Sequence, residues 1–209
     1  MRWINRDPIG EDGGVNLLVC CGNNLIGNID STGLSKYWDN YYSYVKGVDN
    51  SAQVWKLVGG RLYWMHLSNS LEYNNTCALR VSRALNKSGA QITGSAKTER
   101  NFDFTTTKDV VDDGGIVVKA GTKLIAEDTG FRYILKARDI EGELTKTFGT
   151  PFAEWFSRAQ ALKIRASIER CDREAFFADK GHTGMIRRGY DGDEYFPYKE
   201  RGKIWLIPK

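Results

Sequence analysis

The chain has 209 residues, with 30 Lys and Arg against 26 Asp and Glu, four Cys and only two His. Hydrophobic residues at 41% and charged residues at 27% exclude disordered and collagen-like classes, and no apolar run approaches the ~18 residues of a membrane span. Four Cys are too few for a disulfide scaffold, and two His leave no room for a multi-histidine metal site.

Residues 1–34 differ from the rest. Turn chemistry recurs at Asp7-Pro8-Ile9-Gly10, Asp12-Gly13-Gly14, Gly22-Asn23-Asn24 and Asp30-Ser31-Thr32-Gly33, separated by short apolar pieces, which predicts short strands and tight turns. This stretch carries a net −2 and leaves +6 on the remaining residues. Residues 2–12 hold charges of both signs and lack the apolar stretch of a signal peptide, so if the protein acts outside its producer cell another carrier is expected.

The order Arg6-Asp7-Pro8-Ile9-Gly10, Gly13-Gly14-Val15-Asn16-Leu17, Gly22-Asn23-Asn24 and Ile29-Asp30 to Gly33-Leu34 resembles the end of an Rhs repeat-associated core. That is the border where polymorphic bacterial toxins pass from a β-rich delivery shell to a variable toxin. The resemblance implies a cut after Leu34, with Asp7 and Asp30 as autoprocessing residues. Residues 1–34 would then be the core remnant and 35–209 the toxin domain. Ser31 stands where that family usually carries Pro, and both aspartates also fit plain turn formation.

Beyond the border, a helix is predicted from a cap at Asn75 through Leu85, because Ala78, Val81 and Leu85 share one face, with Gly89 as its stop. A hairpin is predicted over Gly115 to Ile125, and a strand over Arg132 to Ala137. Ile140, Leu144 and Phe148 predict a helix over Asp139 to Phe148. The pair Thr150-Pro151 predicts the start of another helix, with Ala161, Ile164, Ile168 and a buried Cys171 on one stripe. Strands follow at Gly181 to Arg188, with His182, Gly184 and Ile186 on one face, and at Lys203 to Ile207. The class expected is α+β, an antiparallel sheet with helices on one side.

Chemistry points first to Cys77. A cysteine in the first turn of a helix has its thiolate favoured by free N–H groups and the helix dipole, and the same N–H groups, that of Cys77 included, can hold an oxyanion. A cysteine among Ala78, Leu79 and Val81 equally fits a core position. His182, between Gly181 and Thr183-Gly184, has small neighbours that leave room for a thiol and a substrate. His66, within Tyr63-Trp64-Met65-His66-Leu67, reads as a partly buried imidazole. Asp193 or Asp191 can orient the base, and the same Asp-Gly-Asp-Glu run also fits a solvated turn.

Val58-Gly59-Gly60, the block Asn75-Thr76-Cys77-Ala78-Leu79-Arg80-Val81-Ser82-Arg83-Ala84-Leu85-Asn86 with Ser88-Gly89, Arg132-Tyr133-Ile134 leading to Asp139, Phe148-Gly149-Thr150-Pro151, and Gly181-His182 resemble the type VI secretion amidase effectors of the fourth class. The resemblance covers roughly residues 37–209. It implies a papain-like cysteine hydrolase, its N-terminal helices packed on an antiparallel sheet. The substrate would be peptidoglycan, cut at the amide between D-glutamate and meso-diaminopimelate of the stem peptide. Cys77 matches the nucleophile, His182 the base and Asp193 the orienting acid, with Asp191 as the alternative, and no metal or organic cofactor is implied. Asn75 is expected to cap the helix, and Arg80 to pair at the surface or between domains. The partners implied are the stem peptide, a cognate immunity protein, and the Rhs shell with the type VI spike. The protein would be made in the producer cytoplasm and act in the target periplasm. Two alternatives remain open: a Cys-His protease or deamidase acting on a cytosolic protein, and a nuclease. Scattered Lys and Arg and the two-histidine count weigh against a nucleic-acid partner.

Overall fold

A computed structural model describes residues 35–45, 51–73, 75–94, 97–190, 196 and 201–208. The predicted strands of residues 1–34 and the cysteines Cys20 and Cys21 lie outside them. Among the described residues six helices and ten strands follow one another, and no helix is long and apolar enough to cross a membrane.

Three short helices come first: α1 (Lys36–Tyr42), α2 (Ser51–Val58) and α3 (Gly60–Ser68). The sequence reading had named none of them. Gly59 and Gly60 break α2 from α3 at φ +61° and +57°, a region that costs a Cβ-bearing residue energy. A Cβ on Gly59 would also sit 2.0 Å from the Ile125 carbonyl oxygen. The helix α4 (Cys77–Lys87) is followed by β1 (Thr98–Arg100), β2 (Phe104–Thr105), β3 (Val110–Val111), β4 (Val117–Val118), β5 (Lys123–Leu124) and β6 (Arg132–Ile134).

The expected hairpin over Gly115 to Ile125 does not form as a pair of its own strands. β4 pairs with β3, and β5 with β2, so residues 104–124 form one nested hairpin whose tip is Asp112-Asp113-Gly114-Gly115. Asp112 shapes that tip by accepting the N–H groups of Gly114 and Ile116 at 3.0 and 2.8 Å, an aspartate turn closed by Gly115 at φ +78°.

The helix α5 (Ala137–Phe148) starts two residues earlier than predicted and ends at Gly149, φ +80°, so the strand before it is limited to β6. Thr150-Pro151 does not open a helix but leads into β7 (Ala153–Trp155). The next helix, α6 (Arg158–Arg170), is capped by Ser157, whose hydroxyl accepts the Gln160 N–H. A proline ahead of a strand fits because that position is extended. Strands β8 (Ala175–Asp179), β9 (Thr183–Ile186) and β10 (Gly202–Leu206) complete a four-stranded antiparallel sheet in the order β7-β10-β8-β9.

This sheet is covered on both faces, not on one as expected. Phe176, Ala178, Met185 and Trp205 point into a cluster with α4 and α5, whereas Phe177, Ile186, Ile204 and Trp155 pack under Ile164 and Ile168 of α6. The reason is visible in β8, where all five residues of Ala175 to Asp179 are buried; a strand apolar on both faces needs a layer on each. A third cluster joins Trp55, Val58 and Leu62 to Leu79 and Tyr133.

Arg83 ties these layers together. Its guanidinium grips Glu127 through Nε (3.1 Å) and Nη2 (2.6 Å), reaches the Asn40 carbonyl (2.5 Å) and the Ser43 hydroxyl (2.7 Å), and lies 4.1 Å over the Tyr44 ring. Burial pushes the Tyr44 hydroxyl well up, so it stays protonated and donates to Glu127.

Burial also pushes the Glu127 carboxyl up, but the hydrogen bonds from Arg83 and Tyr44 outweigh it and leave it below its ordinary 4.5. Glu174 behaves oppositely. Burial raises it, and the bonds from Ser35 and the charge of Arg187 offset this only in part. The Glu127 contribution to stability is therefore present above pH 4.5 and fades as pH falls through its depressed pKa. That of Glu174 is present below 4.5 and fades as pH rises through its raised pKa. Urea midpoints between pH 3 and 8 check this: Glu174→Gln should gain on the parent as pH rises, and Glu127→Gln should lose the parent's acid-side slope. Parallel curves for all three proteins would contradict it.

Candidate active site

Cys77 is the first residue of α4 and is 5% exposed. Asn75 does the expected capping work from one position outside the helix, since Thr76 occupies the cap without a side-chain bond while Asn75 Oδ1 accepts the Cys77 N–H at 3.0 Å. That bond has a chemical consequence. The Cys77 N–H, expected among the oxyanion donors, is engaged by Asn75 in this structure.

His182 sits immediately before β9, in the tight turn that joins it to β8. Asp179, 6% exposed, clamps this turn: its Oδ1 accepts the N–H groups of Gly181 and His182, both at 2.7 Å, and its own N–H donates to the His182 carbonyl at 2.9 Å. Sequence reasoning missed Asp179. The available signal was an aspartate two residues before a glycine at the end of an apolar strand, which is turn chemistry rather than a catalytic motif.

Hydrogen bonds between α4 and β6 show which end of the fold these parts occupy. Ser82 Oγ accepts the Ile134 N–H at 3.0 Å and Asn86 Nδ2 donates to the Arg132 carbonyl at 2.7 Å, so moving toward the N-terminus of α4 moves along β6 toward α5. Cys77 accordingly shares a cluster with Ala137, the first residue of α5, and with Ala178, next to Asp179. The start of α5 lines one cavity with the β8–β9 turn, and Lys136, just before α5, reaches Glu72, just ahead of α4, at 3.4 Å, so the three lie at one end. The His182 ring, however, packs 5.5 Å from Phe177. Alternation along β8 puts Phe177 on the α6 side, opposite Phe176 and Ala178 of the Cys77 cluster.

His66 is buried more deeply than expected, at 2% exposure. Its ring lies over Trp55 at a centroid distance of 5.5 Å, Nδ1 is 2.7 Å from the Tyr73 carbonyl, and Nε2 is 2.6 Å from Asp113 Oδ2. Both nitrogens face acceptors, which suits a strut between α3 and the tip of the nested hairpin. Cys171 is not on the buried stripe: it is the half-buried C-cap of α6. Arg80 is half-buried, and its buried Nε has no hydrogen-bond partner among the described residues. Asp191 and Asp193, the two candidate orienting acids, and Asp7, Asp30 and Leu34 of the border lie outside the described residues.

No protein-family model matches the chain, and no curated protein matches it. Among solved structures, the type VI effector Tae4 from Enterobacter cloacae superposes with a TM-score of 0.51 at 16% identity, covering 82% of this chain and 96% of that one. The Tae4–Tai4 effector–immunity complex from the same organism gives 0.50 at 17% identity, over 83% and 96%. The α+β architecture is therefore the fold of the type VI effector Tae4.

Proposed function

We propose that this chain is an antibacterial cell-wall amidase that cuts the stem peptide of peptidoglycan between D-glutamate and meso-diaminopimelate, using Cys77, His182 and Asp193, or Asp191 in its place. One observation carries the reading. On a Tae4-like fold, a cysteine at the first residue of a buried helix lies at the same end as the turn that presents His182.

The Cys77 thiolate attacks the γ-carbonyl carbon of D-glutamate, and first-turn N–H groups hold the resulting oxyanion. The C–N bond breaks as imidazolium His182 gives its proton to the departing diaminopimelate amine, leaving a thioester. Neutral His182 then takes a proton from water, the hydroxide attacks the thioester carbon, and the thiolate leaves. This requires the imidazole to turn from Phe177 toward Cys77. His182 shares its face with Gly184 and Ile186, so the turn that carries it must shift along with its ring; catalytic contacts in free enzymes often tighten only when substrate binds. The aspartate keeps the ring in the useful tautomer.

The reading extends to delivery: residues 1–34 as an Rhs core end, cut after Leu34 by chemistry involving Asp7 and Asp30, carriage by a type VI spike, action in the target periplasm, and an immunity protein in the producer. The test of the enzyme is digestion of diaminopimelate-type sacculi by the wild type and by Cys77→Ala, with the fragments analysed by mass. New D-glutamate and diaminopimelate termini should form with the wild type alone; intact sacculi would refute the reading. For the border, Asp30→Asn should lose a fragment beginning at Ser35 that the parent yields, and equal yields would remove Asp30 from the cut.

A further inference from the structure

A cavity of about 820 Å³ opens between the start of α5, the start of β10 and the β8–β9 turn that precedes His182. Its walls are Arg138 and Glu141 from the start of α5, Asp179 and Lys180 from the β8–β9 turn, and Arg201 and Lys203 from the start of β10. Four cations thus face two acids.

The acids are already engaged. Glu141 is bonded to the Lys203 ammonium, and Asp179 Oδ1 holds the two turn N–H groups. Lys203 also reaches Glu154 at 3.7 Å, and Arg201 lies 3.8 Å from Glu154 and 5.0 Å over the Phe156 ring. Arg138 and Lys180 are left, both exposed and without a carboxylate partner among the described residues. Arg138 also lines a neighbouring cleft of about 550 Å³. In that second cleft the charges cancel in pairs, Lys97 with Asp139 at 2.8 Å and Lys136 with Glu72 at 3.4 Å. With four cations against two carboxylates, the lining of the larger cavity keeps an excess of positive charge, and Arg138 and Lys180 are the exposed part of it.

We propose that this cavity is a carboxylate subsite, in which Arg138 and Lys180 bind a free carboxylate of the peptide being cut. The inference rests on the amidase reading for its substrate. A stem peptide carries such groups on both sides of the scissile amide: the α-carboxylate of D-glutamate, the second carboxylate of diaminopimelate, and the chain terminus. A guanidinium offers a planar fork to a carboxylate and an ammonium a point charge, so the pair can fix both orientation and position. Lys180 follows Asp179 directly, so the bound carboxylate would be anchored to the same turn that holds His182.

The experiment uses a soluble stem tetrapeptide, and three versions of it in which one carboxylate at a time is amidated. They are tested with the full chain and its Arg138→Gln, Lys180→Gln and double variants. KM and kcat are followed by mass, and binding to the same proteins carrying Cys77→Ala is followed by calorimetry. Removing either cation should raise KM roughly tenfold, the effect of one charge-assisted bond, with kcat within about twofold. One amidated peptide should bind the wild type as weakly as the parent peptide binds the double variant, and amidation should then cost the double variant nothing further. The affinity should fall with added salt.

If the peptides are cut but the variants match the wild type, the subsite is refuted while the amidase stands. Charge-dependent binding without cleavage would uphold the subsite and refute the amidase. Absence of both binding and cleavage refutes both.

Discussion

Cys77→Ala should lower kcat/KM on sacculi or stem peptides by at least about 1,000-fold, roughly 4 kcal/mol of transition-state stabilisation, while the urea midpoint stays near that of the parent. The asymmetry follows from the site. Of the two described cysteines, Cys171 closes a helix and Cys77 alone opens one. The route through a thioester disappears with it, because no other side chain of α4 can take its place. What the fold loses is one sulfur atom in a cluster held mainly by Val81, Leu85, Ile140, Leu144 and Phe176, at most about 1 kcal/mol of packing. Cys171→Ala is the matched control: at the C-cap of α6, outside that cluster, it should leave turnover within about twofold. Cleavage by Cys77→Ala within tenfold of the parent would remove the thiolate from the mechanism.

The second large effect concerns stability. Arg83→Ala should cost about 1–3 kcal/mol in urea unfolding, the range for removing a buried group that makes charge-assisted hydrogen bonds, out of a total of about 5–15 kcal/mol for a domain of this kind. Arg83 is 8% exposed, and its loss strands Glu127 and leaves the Asn40 carbonyl without a donor that now lies at 2.5 Å. The fork geometry makes Arg83→Lys nearly as harmful, since one ammonium cannot reach both Glu127 oxygens together with Asn40 and Ser43. A double-mutant cycle with Glu127→Ala isolates the pair: the double variant should fall well short of the sum of the singles. A loss below about 0.5 kcal/mol for Arg83→Ala would mean that α1 is held to α4 by its apolar packing and the Asn40–Ser88 hydrogen bond rather than by the guanidinium.

How far the sequence carried each element depended on where its hydrogen bonds and its buried face come from. The helix α4 was legible because Ala78, Val81 and Leu85 mark one face, and α5 because Ile140 and Leu144 do; in both, the terminating glycine was read in the right place. The strand β8 was not, because Ala175-Phe176-Phe177-Ala178 is apolar on both faces and carries neither period. Its burial between α5 and α6 is a tertiary fact. The nested hairpin was misread for a related reason: Ala120-Gly121 has turn composition and does form a turn, but its strands pair with residues 104–111 rather than with each other. Thr150-Pro151 has the composition of a helix start and serves instead as the entry to β7. At the site, Cys77 and His182 stood out because their types are rare here and their neighbours suggestive. Asp179, Arg138 and Lys180 did not, since a turn aspartate and surface cations become significant only once β8 and α5 are placed beside each other.

The burial of α4 has a consequence for recognition. Nine of its eleven residues are buried, and only Arg80 and Lys87 are not. A macromolecule that binds this protein therefore has almost nothing of that helix to touch, and must discriminate through the loops and charged edges around it. Those edges can change without disturbing Cys77, the Arg83 clasp or the core between them. Specificity toward a binding partner and the machinery of the site are thus separable on this fold, and the first can drift from one lineage to the next while the second is held still by packing.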